Sequence, residues 1–250
     1  MPSPAQGQGG SDRRPLVAAS SSLAVDYTLD YFQGTIDPWH TVALSAGHRT
    51  EKGSIIGRLN LANRFATSGV QIEADAYPSL GDHAYAYLNV GYSGSSIFPN
   101  WRSGGEVFAS LPDALEASLG FRQLRFGGAP ITLLTGSVGK YTGNYWFSLR
   151  PFVREKDTGL SASATLTVRR YYEDTNDYIG LRVGYGSTPT DRLTSVDLTR
   201  TSSASAGVHG SRTIRPRTFG TWSFGYDREE LTPGRFRNRW ELSGGLKFEY

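Results

Sequence analysis

From Leu23 onward the chain alternates. Leu23, Val25, Tyr27, Leu29 and Tyr31 share one parity, and Asp26, Thr28 and Asp30 the other. This is the period-two signature of a strand with one apolar and one polar face. The segment GVQIEADAY (69–77) repeats it, with Val70, Ile72, Ala74 and Ala76 against Gln71, Glu73 and Asp75. Val42, Leu44 and Ala46 do the same, as do Ile55, Leu59, Leu61 and Phe65 against Arg58, Asn60 and Arg64. Further runs cover Ala84 to Tyr92, Leu115 to Phe121 against Glu116, Ser118 and Arg122, and Tyr145 to Val153 against Ser148, Arg150 and Arg154. The clearest sets Leu160, Ala162, Ala164, Leu166 and Val168 against Ser161, Ser163, Thr165, Thr167 and Arg169. Ile179 to Tyr185 around Arg182, Trp222 to Tyr226, and Trp240 to Tyr250 opposite Glu241, Ser243, Lys247 and Glu249 complete the series.

Weaker runs near 104–111, 131–140 and 200–212 bring the count to about fourteen strands of ~9–13 residues, the length a tilted strand needs to cross a bilayer. Twelve is the fallback number. Turn chemistry separates the runs: EKG at 51–53, TSG at 67–69, PSLGD at 78–82, TGN at 142–144 and KDTG at 156–159. The three longest connections, roughly 93–103, 187–198 and 230–236, fall on one side of the sheet when counted back from the C-terminus. Pro151 sits in the apolar register of its strand and is a local defect. No helical period competes.

Whether the apolar face meets a protein core or lipid decides the class. A soluble sandwich fills that face with large aliphatic residues at close packing. Here it is rich in Ala and Gly. Aromatics gather near strand ends (Tyr27, Tyr31, Trp39, Tyr77, Tyr92, Tyr145, Tyr185, Trp222, Trp240 and Tyr250), as interfacial girdles require. The expectation is an all-β, transmembrane, antiparallel up-and-down β-barrel over 21–250, with lipid outside and charge inside. A soluble lectin-like sandwich is the non-membrane alternative.

Composition adjusts the picture without changing it. The 250 residues include 30 Gly, 14 Tyr, 12 Phe and 5 Trp, and the mean hydropathy is −0.38. No stretch approaches 18 consecutive apolar residues, so no transmembrane helix is expected. The net charge of +3 is mixed along the chain, and no basic block with interleaved aromatics suggests a nucleic-acid partner. The absence of cysteine excludes disulfides and zinc-thiolate sites. Residues 1–20, rich in Pro, Gly, Gln and Ser, read as a disordered lead-in or linker, and no export signal is visible in them.

Candidate chemistry lies on the polar face. Glu73 and Asp75 point the same way, ~7 Å apart. That spacing suits either paired-carboxylate glycoside chemistry or pairing with arginines of neighbouring strands. Arg122, Arg150, Arg154 and Arg182 share that face and suit anionic or hydroxylated ligands; since both signs occur, no strong ion selectivity is expected. In the loop SIFPNWRSGG (96–105), Phe98, Trp101 and Arg102 either stack on sugars at the mouth or anchor the interface. His40, His48, His83 and His209 show no metal spacing. We therefore expect binding residues but no catalytic residue, metal or cofactor.

The segments DPWHTVALSAGHRT (37–50), GVQIEADAYPSL (69–80), AYAYLNVGYS (84–93), SSIFPNWRSGGEVF (95–108), LEASLGFRQLRF (115–126) and GKYTGNYWFSLRPF (139–152) together resemble the YaiO family of outer-membrane β-barrel proteins. LTVRRYY (166–172), DYIGLRVGYGSTP (177–189) and PGRFRNRWELSGGL (233–246) extend the resemblance to the end. It implies a barrel in a Gram-negative outer membrane, among lipid and lipopolysaccharide. The ending GGLKFEY resembles the signal read by barrel-assembly machinery. The expected function is a monomeric channel or conduit linked to surface polysaccharide export. The alternatives are a non-conducting structural or ligand-binding barrel, and a barrel enzyme acting on lipid or glycan through His48, His83 or the Glu73/Asp75 pair.

Overall fold

The computed structural model describes residues 20–156, 159–172, 174–187 and 202–250. The lead-in expected over 1–20 lies, except for Ser20, outside the described residues. Fourteen strands follow in chain order: β1 (Ser20–Phe32), β2 (Trp39–Thr50), β3 (Gly53–Arg64), β4 (Thr67–Pro78), β5 (Ala84–Tyr92), β6 (Trp101–Leu111) and β7 (Leu115–Arg125). The second half comprises β8 (Ile131–Thr142), β9 (Tyr145–Lys156), β10 (Gly159–Tyr171), β11 (Tyr178–Gly186), β12 (Ser202–Arg215), β13 (Thr218–Thr232) and β14 (Arg235–Glu249). Each pairs antiparallel with its chain neighbours, and β1 pairs with β14 from Ser22↔Glu249 to Phe32↔Arg239, closing the barrel. Closure leaves no edge strand among the described residues, so each strand has ladder partners on both sides, as a lipid environment demands.

Parity decides the rest. The odd residues of β1 and β7 and the even residues of β4, β10 and β14 face outward, which leaves Leu119 75%, Leu160 80% and Ile72 63% exposed. In water such a belt would be a severe liability; in a bilayer it is the contact surface. The opposite parity is buried although it is polar: Gln71, Glu73, Asp75, Asn89, Glu106, Arg169 and Glu229 are all buried. The polar interior is the lumen.

Three sequence expectations change. The segment TSG at 67–69 belongs to β4, and the turn before it is made by Phe65 and Ala66, both at φ 54°, a two-residue hairpin turn of the primed kind. The connection expected over 230–236 shrinks to residues 233–234, because β13 runs to Thr232 and β14 begins at Arg235. Trp39 and Tyr77 do not join the outer girdle. Trp39 is 1% exposed, and both rings share the inward parity of their strands. Pro151 behaves as its chemistry requires: the β8–β9 ladder has partners at Thr135↔Phe152 and Val138↔Leu149 but none at Pro151, which has no N–H to give. Its carbonyl instead accepts a hydrogen bond from Thr135 Oγ1 at 2.9 Å.

The 93–100 connection lies at the end of the barrel where β11 ends and β12 begins, two strands set fifteen residues apart in the chain, which marks that end as extracellular and the opposite, turn-bearing end as periplasmic.

Candidate functional site in the lumen

The lumen is zoned along its axis. At mid-height, β3 to β9 carry a network in which carboxylates lie against the wall and guanidiniums lie over them. Arg58 donates from Nη1 to Glu73 at 2.9 Å and from Nη2 to Asp75 at 3.1 Å. Arg102 donates from Nη1 to the other Glu73 oxygen at 2.7 Å and from Nε to Asn89 at 3.0 Å. Asp75 also accepts from Asn89 Nδ2 at 2.6 Å and from Tyr87 at 3.2 Å. Glu106 holds the second cluster: Arg122 and Arg150 each donate to it at 2.7 Å, and Ser118 at 2.6 Å. The Glu73 and Glu106 side chains are 3% and 0% exposed, whereas Arg58, Arg102 and Arg150 keep 31%, 22% and 21%. The acids are therefore neutralised and covered, and what the network shows the lumen is guanidinium. Gly91 makes room for it: a Cβ there would stand 2.8 Å from Arg102 Cγ and 3.1 Å from Glu73 Cγ.

At the loop end the interior turns apolar. Phe32 packs on Trp39 at 4.5 Å between ring centroids, and Phe65 meets Trp39 edge-on at 4.6 Å. The β5–β6 loop folds inward, so that Ile97 and Phe98 are buried together with Ala62. Arg64 lies over Trp39 at 5.7 Å and over Phe98 at 5.4 Å, and Arg237 covers Phe32 and Trp39 while its Nε pairs with the fully buried Glu229 at 2.7 Å. The loop is tied down by Ser93 Oγ donating to Val70 O at 2.6 Å and by Asn100 N donating to Arg125 O at 2.7 Å.

At the turn end a belt of half-buried aromatics faces inward from β4 to β11. Tyr77 and Tyr87 lie 5.2 Å apart, and Tyr85 stacks on Phe108 at 4.6 Å with an interplanar angle of 2°. Tyr141 neighbours Trp146 at 6.2 Å, and Tyr171 neighbours Tyr178 at 5.7 Å. Arg169 sits over both Trp146 (5.1 Å) and Tyr178 (4.7 Å) and donates from Nε to His209 Nε2 at 3.2 Å. The hydroxyls of Tyr141 and Tyr171 and the indole N–H of Trp146 are buried without a hydrogen-bond partner among the described residues. The facing wall, from β13 round to β2, carries Thr221, Ser223, Ser243, Gly245, Thr28 and Ser45 inward, together with Asp26 and, nearer the turn end, Phe219 beneath Lys247.

The residues singled out from sequence separate accordingly. Glu73, Asp75 and Arg102 meet in the first cluster, and Arg122 and Arg150 in the second. Arg154 faces the lumen nearer the loop end, where its Nη1 is buried without a hydrogen-bond partner among the described residues. Arg182 lines the lumen between Thr167 and Gly207. Phe98 and Trp101 part company: Phe98 is buried inside the mouth, while Trp101 is exposed on the outer wall against Tyr92 at 5.0 Å. His48 also faces outward, with its Nδ1 3.1 Å from Ser21 Oγ. Sequence reasoning does not single out Glu106 or the inner aromatics. Parity carries the signal, since Tyr85 and Tyr87 alternate with Ala84, Ala86 and Leu88, and Tyr171 shares the parity of Arg169 and Thr167.

Comparison with known proteins agrees with this architecture. The sequence profile of the YaiO membrane beta barrel domain matches residues 20–191. Among solved structures, the CymD monoaromatic hydrocarbon channel superposes with a TM-score of 0.59 at 9% identity, covering 93% of this chain and 88% of that one. OccK11 (OpdR) of Pseudomonas aeruginosa gives 0.52 at 11% identity, covering 92% and 95%. An anion-selective porin from Comamonas acidovorans gives 0.50 at 11% identity, covering 93% and 99%. At such identities the likeness is one of fold. No sequence among curated proteins matches the chain.

Proposed function

Because this chain belongs to the YaiO family of membrane β-barrel domains, whose profile matches residues 20–191, we propose that it is a narrow channel of the outer membrane for polar solutes, working as a conduit in surface polysaccharide export. The observation that carries this reading is the mid-height network, which turns guanidinium towards the lumen: Arg58, Arg102, Arg122 and Arg150 cover buried acids on one wall. The wall from β13 to β2 adds small polar side chains such as Thr221 and Ser223 among charged ones such as Asp26, Arg239 and Glu241. Planar guanidinium suits hydroxylated and anionic groups, and both signs along the wall keep ion preference weak. Arg154 and Arg182 extend the cationic surface towards the loop end. In this reading the barrel works as a monomer among lipid and lipopolysaccharide, and β14 is the strand that barrel-assembly machinery engages.

Single-channel recording in a planar bilayer tests it, on protein whose gel mobility differs between boiled and unboiled samples. Discrete conductance steps are expected. Silence from folded protein would refute the channel and favour a second reading, a non-conducting ligand-binding barrel. The apolar packing of Phe32, Trp39, Ile97 and Phe98 inside the loop end is the observation on that side.

A further inference from the structure

We propose that the aromatic belt inside the periplasmic mouth is a glycan-binding site, which takes pyranose rings against its exposed ring faces. The inference rests on reading the lumen as open to solutes, and it names the class of solute.

The belt is not something the fold demands. Among the described residues, inward positions towards the same end of β13, β14, β1 and β2 carry a single aromatic, Phe219, and the barrel closes there equally well. A membrane barrel's aromatics belong on the outside at the interfaces. Here Tyr141, Trp146, Tyr171 and Tyr178 instead stand half-buried inside, where they present apolar ring surface to an aqueous lumen. Such surface is disfavoured unless something covers it. Three of these rings also carry donors that no protein group accepts among the described residues: Tyr141 Oη, Trp146 Nε1 and Tyr171 Oη. Beside them the buried Arg169 lies over both Trp146 and Tyr178 and fixes the two rings relative to each other.

Apolar ring faces and unmet donors call for a ligand with an apolar face and a rim of acceptors. A pyranose ring is such a ligand, with C–H bonds on its face and hydroxyls around its edge. A hydrocarbon would cover the faces and leave the donors unmet. A simple anion would meet the donors and leave the faces wet. The donors are buried within the belt, so binding requires the rings to turn, which χ rotation of Tyr and Trp at a lumenal surface allows.

The test is isothermal titration of folded, detergent-solubilised barrel with two glycans, maltohexaose as the neutral probe and hexameric galacturonate as the acidic one, with sorbitol as the ring-free control. Binding of at least one glycan and not of sorbitol is expected. Trp146→Leu should weaken it by about tenfold and Tyr171→Phe by about threefold, whereas Trp222→Leu, on the outer wall, should leave it unchanged. Folding of each variant is checked by heat-modifiable gel mobility. If Trp146→Leu does not fold, Trp146→Phe with Tyr171→Phe, which keeps both rings and removes two donors, takes its place. No binding of either glycan, or affinity unchanged by the belt substitutions, overturns the proposal. Steady conductance without glycan binding would defeat the site and leave the channel standing. Glycan binding by a silent barrel would do the reverse.

Discussion

The guanidinium of Arg122 lies 4.6 Å above the ring of Tyr87. One side chain thereby joins the mid-lumen ion pairs to the aromatic belt. Arg122 is held in that place by Glu106, which it shares with Arg150. A carboxylate that is itself fully buried fixes two cations, and its loss would free both.

Glu106→Gln is therefore expected to do two things. It keeps the shape and most hydrogen bonds but removes the charge, so stability should fall by about 2 kcal/mol, a value discounted because the two arginines retain contact with lumenal water. It also leaves Arg122 and Arg150 without their counter-charge, so the reversal potential under a salt gradient should move towards anions. An unchanged reversal potential would show that ions pass without sensing the network.

The β5–β6 loop narrows the extracellular end through Phe98, over which Arg64 lies. Phe98→Ala removes that ring while leaving the Ser93 and Asn100 hydrogen bonds that tie the loop down. Larger single-channel steps are expected, at a stability cost of no more than about 3 kcal/mol, below a fully packed core phenylalanine. Steps of wild-type size would mean that the narrowest point lies elsewhere, with the mid-lumen arginines the next place to look.

Much of this was legible from the chain, and the reason is parity. A closed single-layer sheet gives each residue only two environments, so Ile72 and Glu73 declare theirs by type. Legibility fails where both parities carry similar residues. Gly104 and Gly105 blur the run that holds Glu106, and an aromatic near a strand end suits either the outer girdle or the lumen. For Tyr77 and Trp39 only the strict register decides, and it places them inside. The inward fold of Ile97 and Phe98 obeys no period at all. It depends on Gly69 leaving space, since a Cβ there would stand 2.8 Å from Ile97 Cγ1, and that contact joins segments far apart in the local pattern.

The two faces make opposite predictions for one substitution. Leu119 stands at mid-strand on the outer wall, 75% exposed, and Leu119→Arg should destabilise the barrel in lipid by about 2–4 kcal/mol. Thr165, inward on β10 and beside Gly184, should accept Arg with little loss, changing conductance instead. Urea unfolding in vesicles measures the first and bilayer recording the second. Equal tolerance at both positions would contradict the assignment of lipid to the outer face.

Asp177, in the connection between β10 and β11, accepts from Thr213 N at 2.6 Å and Thr213 Oγ1 at 2.7 Å, and Arg212 Nε lies 3.8 Å away. The Thr213 hydrogen bonds, with help from Arg212, hold its carboxyl below the usual carboxylate range. A carboxylate whose pKa falls on folding stabilises the folded state fully above its unfolded pKa of about 3.9, and that contribution is lost as the pH drops through the lower folded value. The stability difference between the wild type and Asp177→Asn should thus be constant from neutral pH down to about 4 and shrink below it. Urea midpoints for both proteins across that range measure it. A difference that grew on acidification would mean that Asp177 is held by contacts favouring its protonated form, contrary to the Thr213 geometry.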